Sequence, residues 1–106
     1  MPFTLKTING FEMIQRDAAI EIPASRSGHR AFVGISPPLP DRGVHQWRVR
    51  RFEISEDLME TNFGETDLLD SQFIRLDTMQ EVEELLAKWA LDSAAFDAPW
   101  KVDYPL

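Results

Sequence analysis

The stretch QFIRLDTMQEVEELLAKW, from Gln72 to Trp89, changes its periodicity halfway and decides the fold class. Its first five residues are typical of a strand. Thr78 and Glu81 have the spacing of a capping box, which predicts a helix that begins at Met79. After that point apolar residues repeat at i, i+3, i+4 and i+7, which predicts one buried stripe along the helix: Met79, Val82, Leu85, Leu86 and Trp89. A strand followed by an amphipathic helix indicates a mixed α and β fold.

Further strands are predicted upstream of this stretch. Asn9 and Gly10 tolerate the positive φ angles of a two-residue turn, which predicts a hairpin. Alternating or β-branched runs place the strands at residues 3–8, 11–15, 18–22, 31–35 and 44–54. In the last of these, the alternation slips near Arg50 and Arg51, as it does at a β-bulge. We therefore predict one α+β domain over residues 1–106, with a mostly antiparallel sheet of five to six strands and one C-terminal amphipathic helix packed on one face.

Composition excludes several kinds of site. The 106 residues contain no cysteine, which removes disulfides, thiolate catalysis and thiolate metal centres. Neither a Gly-x-Gly-x-x-Gly run nor a Gly-Lys-Ser/Thr run is present, so the standard phosphate-binding loops are absent. The only histidines are His29 and His45, and we predict no metal site and no cofactor. No apolar run approaches the length of a membrane span, and the start of the chain does not resemble a signal peptide, so we expect a cytoplasmic protein.

Charge is divided unevenly along the chain. Six arginines and one acid lie between Arg26 and Arg51, whereas fourteen acids and three bases lie between Phe52 and Leu106. The whole chain has a net charge of −7. This acidic balance argues against general affinity for nucleic acid, because phosphate repels carboxylate. It favours association with a partner that has a basic surface.

The first functional hypothesis is a small non-catalytic protein-binding module. Small, acidic, cysteine-free α+β domains resemble, in overall character only, the immunity proteins and antitoxins that neutralise cationic toxins, since an acidic surface can mask a basic active site. The candidate contacts are the acids of one stretch without core periodicity: Glu53, Glu56, Asp57, Glu60, Glu65, Asp67 and Asp70. No motif in the chain identifies one family of this kind.

The second hypothesis is a small-ligand-binding domain or a small enzyme. Its pocket would lie between the sheet and the helix, and four side chains would converge there: His45, Arg48, Arg50 and Glu53. Guanidinium groups match phosphate and carboxylate oxygens, and a carboxylate beside them supplies acid–base chemistry. Whether the chain catalyses any reaction is left open by its sequence. Trp100 and Tyr104, in a tail interrupted by prolines, are expected to pack onto the core.

Overall fold

The computed structural model describes residues 17–92 and 95–106. Its strands and helices are β1 (Ala18–Ile22), β2 (His29–Ser36), β3 (Trp47–Ser55), α1 (Glu56–Met59), β4 (Leu69–Leu76) and α2 (Met79–Lys88). Single turns of 3₁₀ helix lie at Pro40–Arg42, Glu65–Asp67 and Pro99–Lys101. The predicted hairpin around Asn9 and Gly10 lies outside the described residues.

The sheet is an antiparallel meander with the strand order β1-β2-β3-β4. Each strand pairs with its neighbour in sequence, as short connections favour. The α+β class and the antiparallel sheet are thus confirmed. The described residues form four strands rather than five to six, since two of the predicted strands fall in the part not described. Within residues 17–92 and 95–106, no helix has the length and apolar character needed to cross a membrane.

Apolar side chains cover both faces of the sheet. On one side, here called the helix face, Val33 and Val49 pack with Leu86 of α2. On the other side, here called the tail face, Phe32 and Phe52 form a second cluster. The register of β2 with β3 places odd-numbered residues of these strands on the helix face and even-numbered ones on the tail face.

The slip predicted near Arg50 and Arg51 is present on one side of β3 only. Phe52 lies opposite Phe32 and the pairing with β2 is continuous, so the strand alternates regularly. The apparent slip arises because the apolar positions of β3 change from one buried face to the other. A register shift does exist, but it lies on the β4 side of the strand, between Arg51 and Glu53.

Local chemistry sets both ends of α2. Thr78 Oγ1 accepts a hydrogen bond of 3.2 Å from the Glu81 N–H, which satisfies one free donor of the first turn. At the other end Ala90 adopts a left-handed conformation with φ of 57°. The Leu91 N–H then donates to the Leu86 carbonyl at 2.9 Å, the pattern of a Schellman cap. The chain continues past α2 to the Pro99–Lys101 turn and the C-terminal tail, so this helix is not the last element.

Candidate functional site

Three acidic side chains lie close together in sequence on α1, the short helix that follows β3 directly, and at the residue that ends it, Glu60. Leu58 and Met59 of this helix pack against the aromatic cluster of the tail face. Since neighbouring positions of a helix point in different directions, burial of these two side chains leaves the others toward solvent. Glu56, Asp57 and Glu60 are accordingly exposed. None of the three forms an ion pair with any described residue.

The C-terminal tail packs on the same face of the sheet as α1. The Tyr104 N–H donates to the Pro99 carbonyl at 3.0 Å, which folds the tail back on itself. The Tyr104 ring then packs on Phe32 and Phe52, with centroid separations of 6.0 and 5.6 Å. These are separations of favourable aromatic pairs. Burial raises the pKa of Tyr104 to about 12, because the phenolate is harder to desolvate than the neutral phenol.

Gly34 of β2 makes the close approach of Tyr104 possible. A Cβ atom at position 34 would overlap the Tyr104 hydroxyl oxygen and would lie 2.6 Å from its Cζ. Packed atoms do not approach so closely, so any larger residue here requires the tyrosine to move. The position of the tail thus depends on one residue without a side chain.

A groove of about 780 Å³ separates α1 from the tail, and we call it the acidic groove. It is lined by Arg30, Glu56, Asp57, Met59, Glu60, Asp103, Tyr104 and Pro105. Four carboxylates surround it against one guanidinium, and the methionine, tyrosine and proline add apolar surface. This combination suits a lysine or arginine side chain, which has an apolar stem and a cationic end.

Arg30 holds the tail beside β1. Its Nε and Nη2 donate to the two carboxylate oxygens of Glu21 at 2.8 and 2.7 Å, a bidentate pair. Nη2 also donates to Asp103 Oδ2 at 3.3 Å. The hydrogen bonds from Arg30 lower the pKa of Glu21, and the same bonds raise the pKa of Arg30. Arg30, the one cation among the described residues that line the acidic groove, is therefore already shared between two carboxylates.

Glu53, one of the predicted contacts, lies in the interior. It is only 4% exposed, and its Oε1 accepts bonds from the Ser25 N–H at 2.7 Å and the Ser25 hydroxyl at 3.0 Å. Its Oε2 lies 2.6 Å from Arg26 Nη1, which also pairs with Asp70 at 3.0 Å. Burial by itself raises the pKa of Glu53, but these hydrogen bonds outweigh it and lower the pKa to about 2.

Three of the other predicted acids, Glu65, Asp67 and Asp70, are also engaged. Glu65 pairs with Arg50 at 2.9 Å. Asp67 Oδ2 accepts a 2.8 Å bond from the Gly64 N–H and thereby caps the 3₁₀ turn. Of the seven predicted contacts, the acidic groove brings together Glu56, Asp57 and Glu60, and it adds Asp103. Sequence reasoning missed Asp103; the signal was its position next to Tyr104, an aromatic residue in a tail interrupted by prolines.

The residues of the alternative site are placed apart. Arg48 and Arg50 lie on the tail face and line one pocket of about 160 Å³. Glu53 lines a different pocket of about 160 Å³, next to Ser25. His45 is exposed in the loop before β3. The two arginines are therefore brought together, whereas Glu53 and His45 are not placed beside them.

Opposite charges are partly interleaved on the folded chain. Arg26, Arg30 and Arg50 each pair with at least one acid. The uneven division of charge in the sequence is thereby reduced in the structure. Glu56, Asp57 and Glu60, which have no ion-pair partner among the described residues, remain as one local concentration of negative charge beside the acidic groove.

No family model matches this chain, and no curated protein or solved structure is similar to it at a significant level. Over residues 17–92 and 95–106, no group of three or more His, Asp and Glu side chains is placed to hold a metal ion. Any function assigned to the chain therefore depends on its own groove, charges and pockets.

Proposed function

We propose that this protein is a small non-catalytic protein-binding module whose acidic groove receives a basic segment of another protein. An inhibitor or immunity-like protein that masks a cationic surface is one form of such a module. The observation that carries the proposal is a set of three carboxylates, Glu56, Asp57 and Glu60, that have no cationic partner within residues 17–92 and 95–106 and lie beside the apolar surface of Met59 and Tyr104.

Electrostatics and shape support the same partner. The net charge of −7 attracts a cationic protein at long range and raises its association rate. The groove volume of about 780 Å³ is large enough for more than one side chain. Apolar surface beside the carboxylates contacts the aliphatic stems of lysine and arginine, which adds affinity that salt does not screen.

The groove can be tested by removing its charges without changing its shape. We expect the triple variant Glu56→Gln, Asp57→Asn, Glu60→Gln to bind its partner roughly tenfold more weakly, since each exposed ion pair contributes about 0.5 kcal/mol. Partners are captured on the immobilised wild-type protein from native lysate at low and at moderate salt. Retained proteins are identified, and their affinities for each variant are then measured.

A matched control variant carries Asp41→Asn, Glu83→Gln and Glu84→Gln. It removes the same number of negative charges, from positions that do not line the groove. Partners kept by the control and lost by the groove variant support the proposal. Equal loss from both variants would mean that only net charge matters, and undiminished capture by the groove variant would mean that the partner binds elsewhere; either result contradicts it.

The alternative, a small-ligand-binding domain or enzyme, is supported by a narrower observation. Of its four proposed residues, Arg48 and Arg50 share a pocket. That pocket lies on the tail face rather than between the sheet and α2.

A further inference from the structure

Three arginines, Arg48, Arg50 and Arg75, lie on the tail face near the exposed ring of Phe73. Arg48 pairs in register with Arg75, and Arg50 pairs with Phe73. The Phe73 side chain is 43% exposed. The guanidinium carbons of Arg50 and Arg75 lie 5.0 and 4.8 Å from the centroid of its ring, so both stack on it.

Two of these cations have no acidic partner among the described residues. Arg50 is neutralised by Glu65 at 2.9 Å, but neither Arg48 nor Arg75 forms an ion pair there. Arg48 Nη2 donates only a long bond of 3.3 Å, to the Pro37 carbonyl. Its buried Nε has no hydrogen-bond partner in the described part of the chain.

This arrangement is unfavourable unless something else is bound. Like charges directly opposite each other on neighbouring strands destabilise a sheet, and Arg48 and Arg75 are such a pair. A buried cationic donor without an acceptor adds a further desolvation penalty. An anion between the two side chains would remove the repulsion and would supply acceptors.

The pocket beside Arg48 limits what that anion can be. Its volume is about 160 Å³, well below the roughly 300–1,000 Å³ of pockets that enclose a drug-sized molecule. It therefore has room for one anionic group. Arg48 and Arg50 line it together with the Ser36 hydroxyl, the Asp17 carboxylate and the Phe73 ring. Arg75 is not part of this lining, and it adjoins the pocket through its register position opposite Arg48.

We propose that Arg48 and Arg75 bind the phosphate group of a phosphomonoester whose aromatic or apolar part rests on Phe73. A phosphomonoester carries nearly two negative charges at neutral pH, which balances two unpaired guanidinium groups, whereas a carboxylate balances one. The fork of an arginine also matches two phosphate oxygens. The Asp17 carboxylate opposes the ligand and limits its affinity.

Phenyl phosphate is the probe, because it combines a phosphate with a ring. We expect saturable binding to the wild-type chain at low ionic strength, followed by two-dimensional NMR. Arg48→Gln and Arg75→Gln should each weaken it about tenfold, as expected for loss of a charge-assisted bond. Arg42→Gln is the matched control, since Arg42 is exposed in the Pro40–Arg42 turn, and it should bind as the wild type does.

Further probes separate the parts of the proposal. Phe73→Ala should weaken phenyl phosphate and leave inorganic phosphate unchanged, because only the former has a ring to stack. Benzoate, with a single charge, should bind more weakly than phenyl phosphate. Equal affinity for benzoate and phenyl phosphate would overturn the assignment to phosphate.

Thermal unfolding shows whether loss of binding reflects loss of fold. The ligand should raise the Tm of the wild type and of Arg42→Gln by mass action, and should not raise that of Arg48→Gln or Arg75→Gln. Without ligand, both of these variants should unfold no lower than the wild type, since each removes a like-charge contact. No saturable binding to the wild type, or equal binding by all four proteins, would overturn the site.

Discussion

The helix face and the tail face of the sheet are buried by different means. On the helix face, α2 brings Val82 and Leu86 onto aliphatic residues of the strands, and both are at most 1% exposed. On the tail face, Tyr104 from an irregular segment covers Phe32 and Phe52. A regular helix covers one face with several side chains, whereas the other face is covered by the Tyr104 ring together with Leu58 and Met59 of α1.

This difference predicts which mutations destabilise the whole domain and which act only locally. The backbone of α2 forms its hydrogen bonds within the helix. The position of α2 on the sheet therefore depends on its side chains, several of which contact the strands at once. The position of the tail depends on Gly34, on Arg30 and on the Tyr104 ring. Loss of a contact on the helix face should weaken the whole domain, whereas loss of one on the tail face should act on the tail and the acidic groove.

The largest effect is expected for Leu86→Ala on the helix face. Removal of this buried side chain should lower the free energy of unfolding by about 3 kcal/mol, because it loses apolar contacts and leaves a cavity. Urea unfolding measures the change. Leu106→Ala is the matched control, since Leu106 is 48% exposed, and it should cost less than about 0.5 kcal/mol. An equal loss of free energy of unfolding for Leu86→Ala and Leu106→Ala would contradict the prediction that the helix face carries the larger share of the stability.

A smaller loss in the free energy of unfolding, about 2 kcal/mol, is expected for Gly34→Ala on the tail face. The new methyl group requires the Tyr104 ring to leave Phe32 and Phe52, and NMR signals of these rings should shift. Gly64→Ala is the matched control, because a Cβ atom at Gly64 meets nothing within 4 Å.

A double-mutant cycle sharpens the same prediction. In a Tyr104→Ala background, Gly34→Ala should cause no further loss in the free energy of unfolding, since the Tyr104 hydroxyl oxygen that the new Cβ atom would overlap is absent. It should even be slightly stabilising, because alanine restricts the unfolded chain more than glycine does. If Gly34→Ala costs the same in both backgrounds, the overlap with Tyr104 is not its cause.

The smallest effects should appear at opposite ends of the pH scale. Glu53 lies on the helix face opposite Ala31, and its pKa falls from 4.5 to about 2 on folding. Its contribution is therefore complete above about pH 4.5 and is lost as the pH falls toward 2. Glu53→Gln should cost about 1.5 kcal/mol at neutral pH, with the difference from wild type shrinking in acid.

Tyr104 should behave in the opposite sense. Its pKa rises from 10.0 to about 12 on folding, so its contribution is complete below about pH 10 and is lost as the pH rises toward 12. Urea unfolding of the wild type and of Tyr104→Phe is compared at about pH 7 and about pH 11. A wild type that loses no more stability in alkali than Tyr104→Phe would show that the phenol is not desolvated.

Local patterns were sufficient to predict the fold class. Runs of β-branched and aromatic residues, ended by prolines or turn residues, marked the strands that contain Ile20, Val33, Val49 and Ile74. Such patterns report on each segment alone. They do not report which neighbouring strand an irregularity faces, so the slip near Arg50 and Arg51 could not be assigned to the β4 side from the sequence.

The candidate site was harder to predict because it depends on contacts between distant segments. Glu53 and Glu56 are equivalent in sequence as members of one acidic stretch. In the structure Glu53 is held by Ser25, 28 residues away, whereas Glu56 faces solvent. Asp103 lies at the groove beside Arg30, 73 residues earlier, which binds it. Pairings at such separations are not visible in composition or periodicity.

The single guanidinium that joins β1 to the tail has a thermodynamic consequence for recognition. A lysine or arginine from outside that takes the Asp103 Oδ2 position of Arg30 must break the 3.3 Å bond between Arg30 and Asp103. Breaking this internal bond reduces the net free energy of binding. The reduction is absent when the tail is already detached from Arg30. Occupancy of the groove and detachment of the last residues of the chain are therefore linked quantities, each shifting the equilibrium of the other by the same factor.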